Sequence, residues 1–194
     1  MKPIILIGGV SGVGKTTVGN MVAKKMNMDH HLGAGWIREC LRSILDKKEY
    51  PELFNYTFQI SVEGQTPFQN LYQQSLYMKS ATEKCISRAY NEGTSLLIHG
   101  GTLIPGLIDM EKVDYHCVLK ANHLRKHRTM INSDTHTKRM VSNEELTMNR
   151  SIEKDLFVLC EKHNVPIVKN NIITNTADFI VNQISKRIQN KIIK

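Results

Sequence analysis

The chain has 194 residues, enough for one domain with a sizeable core, and its 41% apolar content excludes a disordered polymer. A formal charge of +8 favours an anionic partner: a nucleotide, a phosphorylated metabolite or a nucleic acid. The four cysteines, Cys40, Cys85, Cys117 and Cys160, form no CxxC pair, which argues against a zinc site or a disulfide framework and predicts reduced, buried thiols; with no apolar run of membrane or signal length, a cytoplasmic location is expected.

The first element is the run IILI at 4–7, which lacks strict alternation, as in a strand covered on both faces of a parallel sheet. It leads into GGVSGVGKTT. Gly9 to Thr16 matches G-x-x-x-x-G-K-[ST], with a strand before it and an amphipathic helix after it, whose face carries Val18, Met21, Val22 and Met26. Gly9, Gly12 and Gly14 let the backbone turn through conformations closed to residues with a Cβ, so successive N–H groups point inward as an anion cradle. The helix beginning near Lys15 adds its unsatisfied N–H groups and positive pole. The candidate nucleotide-binding residues are therefore Gly9, Val10, Ser11, Gly12, Val13, Gly14, Lys15, Thr16 and Thr17, with Lys15 also catalytic at the β- and γ-phosphates and Thr16 the Mg²⁺ ligand.

A second strand ends at HLGAG. His30 and His31, adjacent on it, point to opposite faces and cannot readily share one ion, so they read as structural. The helix that follows carries Arg38 and Arg42 four apart on one face, where they could clamp a phosphate or carboxylate; the alternative is a surface helix with charges spaced around Glu39. Trp36 reads as core or pocket wall, with stacking on a base as its alternative. Thr66 as N-cap, Pro67 in the first turn and Gly93 beyond the end bound a helix over 68–91. SLLIHGG (95–101), DYHCVLKA (114–121) and VPIVKN (165–170) read as further strands, and His116 and Cys117 are structural within the second of these. Ser142 and Glu145 have capping-box spacing, which starts a helix running to His163. Ala177, Ile180, Val181, Ile184 and Ile188 mark one face of a last helix, whose terminal lysines suit its negative pole. Strands alternating with helices predict an α/β parallel sheet with right-handed crossovers, and no repeat or linker divides 1–194.

Between Lys120 and Arg139 lie Arg125, Lys126, Arg128 and Lys138, with Asp134 as the only acid. The cluster HLRKHR follows a strand end. Asn170 and Asn171, after the last strand, fit a contact to a base or simple turn formation.

LIGGVSGVGKTT, IRECLRSIL with Arg38 and Arg42, GGTLIPGLID at 100–109 and EKHNVPIVKNN at 161–171 together resemble the 2-phosphoglycerate kinase family of P-loop kinases, in order and at fitting separations. The similarity is thin over 50–90. It implies a P-loop NTPase, nucleoside-kinase-like three-layer fold, a parallel β-sheet flanked by helices with a small lid at about 122–142. The implied reaction moves the ATP γ-phosphoryl group to a hydroxyl of a small phosphorylated acid, with Mg²⁺. On the same resemblance Arg38 and Arg42 bind the acceptor with His99 and Gly100, Arg38 taking a catalytic part. Arg125 and Arg128 close over ATP, Arg128 meeting charge that develops in the transition state, while INSDTHTKR forms the flexible part of the lid and returns Arg139 to the site. An ordinary basic surface loop is the competing account.

Two acids common in related kinases are absent. Gly35 stands three residues ahead of Arg38, where such kinases often have Asp, and His99 stands where an acid precedes the glycine. A neutral imidazole accepts a proton at pH 7 but is a poor ligand for hard Mg²⁺. The loop could hold ATP·Mg²⁺ through Thr16 and phosphate oxygens alone, with a rate lowered about 10²–10⁴-fold. Glu39 or Glu63 could fill the gap, or the acceptor could differ or transfer be lost altogether. A working kinase is the reading taken; the rivals are a polynucleotide 5′-hydroxyl kinase, disfavoured by an aromatic content of 6%, and an NTP-binding sensor without chemistry. Acceptor, base and oligomeric state are left open.

Overall fold

The computed structural model describes residues 2–133 and 141–192. In chain order the elements are β1 (Ile4–Gly8), α1 (Lys15–Lys25), β2 (His30–Gly33), α2 (Ala34–Arg42), a 3₁₀ turn (Pro51–Phe54), α3 (Pro67–Glu92), β3 (Leu96–His99), β4 (Tyr115–Ala121), α4 (Leu124–Ile131), α5 (Asn143–Lys162), β5 (Ile167–Asn170) and α6 (Ile173–Ile192).

The strands form one five-stranded sheet in the order β2-β3-β1-β4-β5, parallel throughout. Period-2 geometry divides β1 between two cores. Ile5 and Ile7 pack with Val18 and Val22 of α1, Ile152 and Leu156 of α5, and Ile180 and Ile184 of α6. Ile4 and Leu6 face the other way, toward Ile37 of α2 and Met78 and Ile86 of α3. Burial on both faces is why IILI shows no polar alternation. The chain adds β3 on one side of β1 and β4 on the other, so the strand order reverses at β1. In a parallel sheet that reversal opens a crevice at the carboxyl ends, where the register sets Ile7 beside His99 and Cys117.

Local signals set the helix bounds. Thr66 accepts from the Gln69 N–H in a capping box, with Pro67 in the first turn, and Gly93 at φ 64° ends α3. Ser142 and Glu145 form the second capping box, at the start of α5. Helix α4 was not expected within the basic cluster. Its N-cap is His123, whose Nδ1 accepts from the Lys126 N–H at 3.2 Å, a role usually filled by Ser, Thr, Asp or Asn. The cysteines also depart in part from the expectation: Cys117 and Cys160 are buried free thiols, but Cys40 is exposed on the outer side of α2. Among the described residues no helix is long and apolar enough to cross a membrane.

At the amino ends of β2 and β3, Asp29 accepts from the Ser95 N–H at 2.8 Å, from Ser95 Oγ at 2.6 Å and from Lys2 Nζ at 2.8 Å. These donors, Lys2 first, hold the Asp29 carboxyl well below the usual carboxylate range. A depressed carboxyl contributes stability at any pH above its unfolded value, and that stability is lost as the pH falls. Asp29→Asn is expected to lower the melting temperature at pH 7, with the gap to wild type closing below about pH 4. Paired thermal melts across that range check it; a gap that does not vary with pH would contradict it.

Candidate functional site

The loop between β1 and α1 is held from several sides. Gly9, Gly12 and Gly14 have φ of 132°, 77° and 86°. At Gly12 a Cβ would lie 2.4 Å from Ile131 Cβ and 2.8 Å from its Cα, so α4 packs flush against the loop. At Gly14 it would meet Asn170 Nδ2 at 2.4 Å. Conformation and space thus both demand glycine at these two positions. The loop runs into the amino end of α1, whose first turn carries no acid to compete with a bound anion. Lys15 folds back, donating from Nζ to the Val10 carbonyl at 2.7 Å, while Thr16 and Thr17 are exposed.

Several loop carbonyls are claimed by side chains. Ser11 O accepts from His127 Nε2 at 2.7 Å and from Asn149 Nδ2 at 3.1 Å. Val13 O accepts from Asn170 Nδ2 at 2.9 Å, and the Asn170 amide is oriented by Thr176 Oγ1, which donates to its Oδ1 at 3.0 Å. Asn170 is therefore a buried loop brace, neither of the two roles read for it; Asn171 instead accepts from Lys126 of α4 through its carbonyl and side chain. His127 and Asn149 were missed in the sequence because no local pattern links them to a loop more than 110 residues away.

Across the crevice, β2 and β3 end together with Gly33 opposite His99. His99 is buried, its ring centroid 5.0 Å from that of His31, and burial, then His31, then Lys15 push its pKa down to about 4. It is a neutral imidazole at physiological pH. Gly100 closes against α2, where a Cβ would meet Ala34 Cβ at 2.4 Å. Gly35 faces open space, with nothing within 4 Å of a Cβ built there.

Arg38 and Arg42 project from α2 as the spacing predicts. Arg38 lies 3.5 Å from Gln74 Oε1 and 3.8 Å from Glu39, in a half-buried position. Arg42 is tied into the fold: Nε donates to the Leu53 carbonyl, Nη1 to Glu39 at 2.8 Å, and the guanidinium lies over Phe54. Glu39 is thus occupied by both arginines, and Glu63 is exposed ahead of α3. Glu52, a buried acid with no motif to mark it in the sequence, accepts from Gln65 Nε2 at 2.9 Å in the network beneath α2. Trp36 is not core: it is 72% exposed, with its ring edge beside Gly33 at the start of α2.

On α4, Arg125 and Arg128 are exposed, while His127 and Ile131 face the phosphate loop. The expected lid therefore begins as a docked helix. Lys138, Arg139 and most of INSDTHTKR lie outside the described residues. Among the described residues no group of three His, Cys, Asp or Glu could hold a metal ion. The Thr16 hydroxyl is exposed at the amino end of α1.

Gly12→Ala combines a left-handed backbone with a steric overlap on α4, and is expected to destabilise the protein by about 3 kcal/mol. Urea unfolding at neutral pH measures it; an unchanged midpoint would contradict the close approach of α4.

No family model matches the chain. Proteins named 2-phosphoglycerate kinase are similar along nearly all of it: that of Methanopyrus kandleri is 28% identical over 95% of this chain, and that of Methanocaldococcus jannaschii 25% over 97%. The chain spans 61% and 65% of those relatives' own lengths. Among solved structures, a gluconokinase from Sinorhizobium meliloti superposes with a TM-score of 0.63 at 12% identity, covering 98% of this chain and 96% of that one. A shikimate kinase from Acinetobacter baumannii in complex with shikimate gives 0.58 at 16% identity, covering 100% and 97%. The chain thus has the three-layer P-loop kinase fold, and in sequence it is similar to archaeal proteins named 2-phosphoglycerate kinase.

Proposed function

We propose that the protein is an ATP-dependent small-molecule kinase that transfers the γ-phosphoryl group to a hydroxyl of a small phosphorylated acid resembling 2-phosphoglycerate. The observation that carries the reading is the glycine loop itself: three left-handed glycines gripped by neighbouring elements at the amino end of α1, a place built for a polyphosphate. The likeness to proteins named 2-phosphoglycerate kinase supports the acceptor class.

In this proposal the cradle from Gly9 to Thr17 orients the triphosphate, and Lys15 leaves the Val10 carbonyl for the β- and γ-phosphate oxygens. Magnesium bound with the nucleotide supplies charge neutralisation, held on the protein side by Thr16. Arg125 and Arg128, exposed one turn apart on α4, approach the nucleotide from above. Arg38 draws the acceptor's anionic group to the open space over Gly35, and Gly100 forms its floor. Arg42 sets the position of α2 through Leu53 and Glu39. His99, neutral beside this space, offers no charge to repel the phosphates and a nitrogen able to accept the hydroxyl proton. A cytoplasmic location belongs to the same proposal.

The test is ADP release from ATP across phosphoglycerates, other phosphorylated hydroxy-acids and 5′-hydroxyl oligonucleotides. Turnover with a phosphorylated hydroxy-acid is expected; turnover with oligonucleotides alone, or with no acceptor despite ATP binding, would overturn the proposal. Lys15→Ala is expected to lower kcat by about 10²–10³-fold. Arg38→Ala is expected to lower kcat/KM for the acceptor by about 10–100-fold while KM for ATP changes little. Steady-state kinetics in both substrates separates these effects, and an unchanged acceptor profile removes Arg38 from the site.

A further inference from the structure

A planar trans peptide points its carbonyl and the following N–H in opposite directions, so whatever fixes the carbonyl also aims the N–H. In the phosphate loop, Ser11 O is held by His127 and Asn149, and Val13 O by Asn170, contacts that persist when Lys15 leaves Val10 O for a phosphate. The N–H groups that share those peptides belong to Gly12 and Gly14. Glycine peptides are the ones most free to flip, and a flipped peptide would present a carbonyl oxygen to an anion. Only Ser11 O receives two side-chain donors in this set, one from α4 and one from α5, and both donors come from fully buried residues.

We propose that His127 and Asn149 are positioning residues of the phosphate cradle: together they lock the Ser11–Gly12 peptide with its N–H toward the ligand. The proposal rests on the reading of the loop as a polyphosphate site. Because a carbonyl can only accept, His127 must carry its proton on Nε2, which leaves Nδ1 as an acceptor with no partner among the described residues. Asn149 Oδ1 is likewise unpartnered there. Burying these two atoms costs stability that apolar residues would not lose, so the pair is explained by what its donors do for the loop rather than by packing. The arrangement also ties α4 to the cradle. With Ile131 against Gly12 and His127 on Ser11, the helix that carries Arg125 and Arg128 is seated by the same peptide that meets the phosphate.

The experiment separates donor from filler. Glutamine places an amide N–H near the position of His Nε2, whereas asparagine is too short to reach Ser11 O. Binding of inorganic tripolyphosphate is measured by calorimetry for the wild type, His127→Gln, His127→Asn and Asn149→Leu, beside a thermal melt of each. We expect His127→Gln to bind within about twofold of wild type, and His127→Asn and Asn149→Leu to bind about tenfold more weakly, although the two His127 variants melt at similar temperatures. Equal affinity of the two His127 variants, or of wild type and Asn149→Leu, overturns the positioning role while the phosphate reading stands. If a His127 variant fails to fold, Asn149→Leu decides by the same comparison. A wild type that does not bind tripolyphosphate overturns the phosphate reading, and the positioning role with it.

Discussion

The structure depends on one constraint: a short run of backbone between β1 and α1 must turn its N–H groups to one side and keep them there. Glycine makes the turn possible and leaves it loose. Neighbouring elements remove that looseness. Ile131 of α4 presses on Gly12, Asn170 at the end of β5 presses on Gly14, and side chains from α1, α4, α5 and β5 take up loop carbonyls. The switch in strand order at β1 is what brings these distant segments to one crevice. Order in the loop is thus a tertiary property, although the loop's sequence is local.

The opposite wall of the crevice carries no carboxylate at the two positions where the family resemblance implies one. The chain offers open space at Gly35 and a buried neutral imidazole at His99. The nearest acid on α2, Glu39, is engaged by Arg38 and Arg42, which lowers its availability as a base. Lys15, Arg38 and the two exposed arginines of α4 give the proposed site a cationic balance. In the proposed function such a balance suits an acceptor carrying more than one negative charge, with Glu39 already engaged by Arg38 and Arg42.

Much of this was legible in the sequence, for identifiable reasons. The motif from Gly9 to Thr16, the caps at Thr66, Gly93 and Ser142, and the apolar strands all obey rules that operate within a few residues, and the structure places them accordingly. Elements whose cause lies far along the chain were not legible. Helix α4 has a histidine cap and packs against the loop through Ile131 and His127, and neither feature has a local sequence signature. His127, Asn149 and the buried Glu52 have roles set by partners that no spacing rule connects. Trp36 misled because indoles are usually covered, yet its position on α2 turns it to solvent.

A loop that holds a nucleotide by its phosphates must discriminate by phosphate number. Calorimetric titration with ATP, ADP and AMP in the presence of magnesium measures this directly. Saturable binding of ATP and ADP at one site is expected, with AMP weaker by about tenfold or more because it lacks the phosphates the cradle grips. Absence of saturable heat with every ribonucleoside triphosphate, or equal affinity for AMP and ATP, would contradict it.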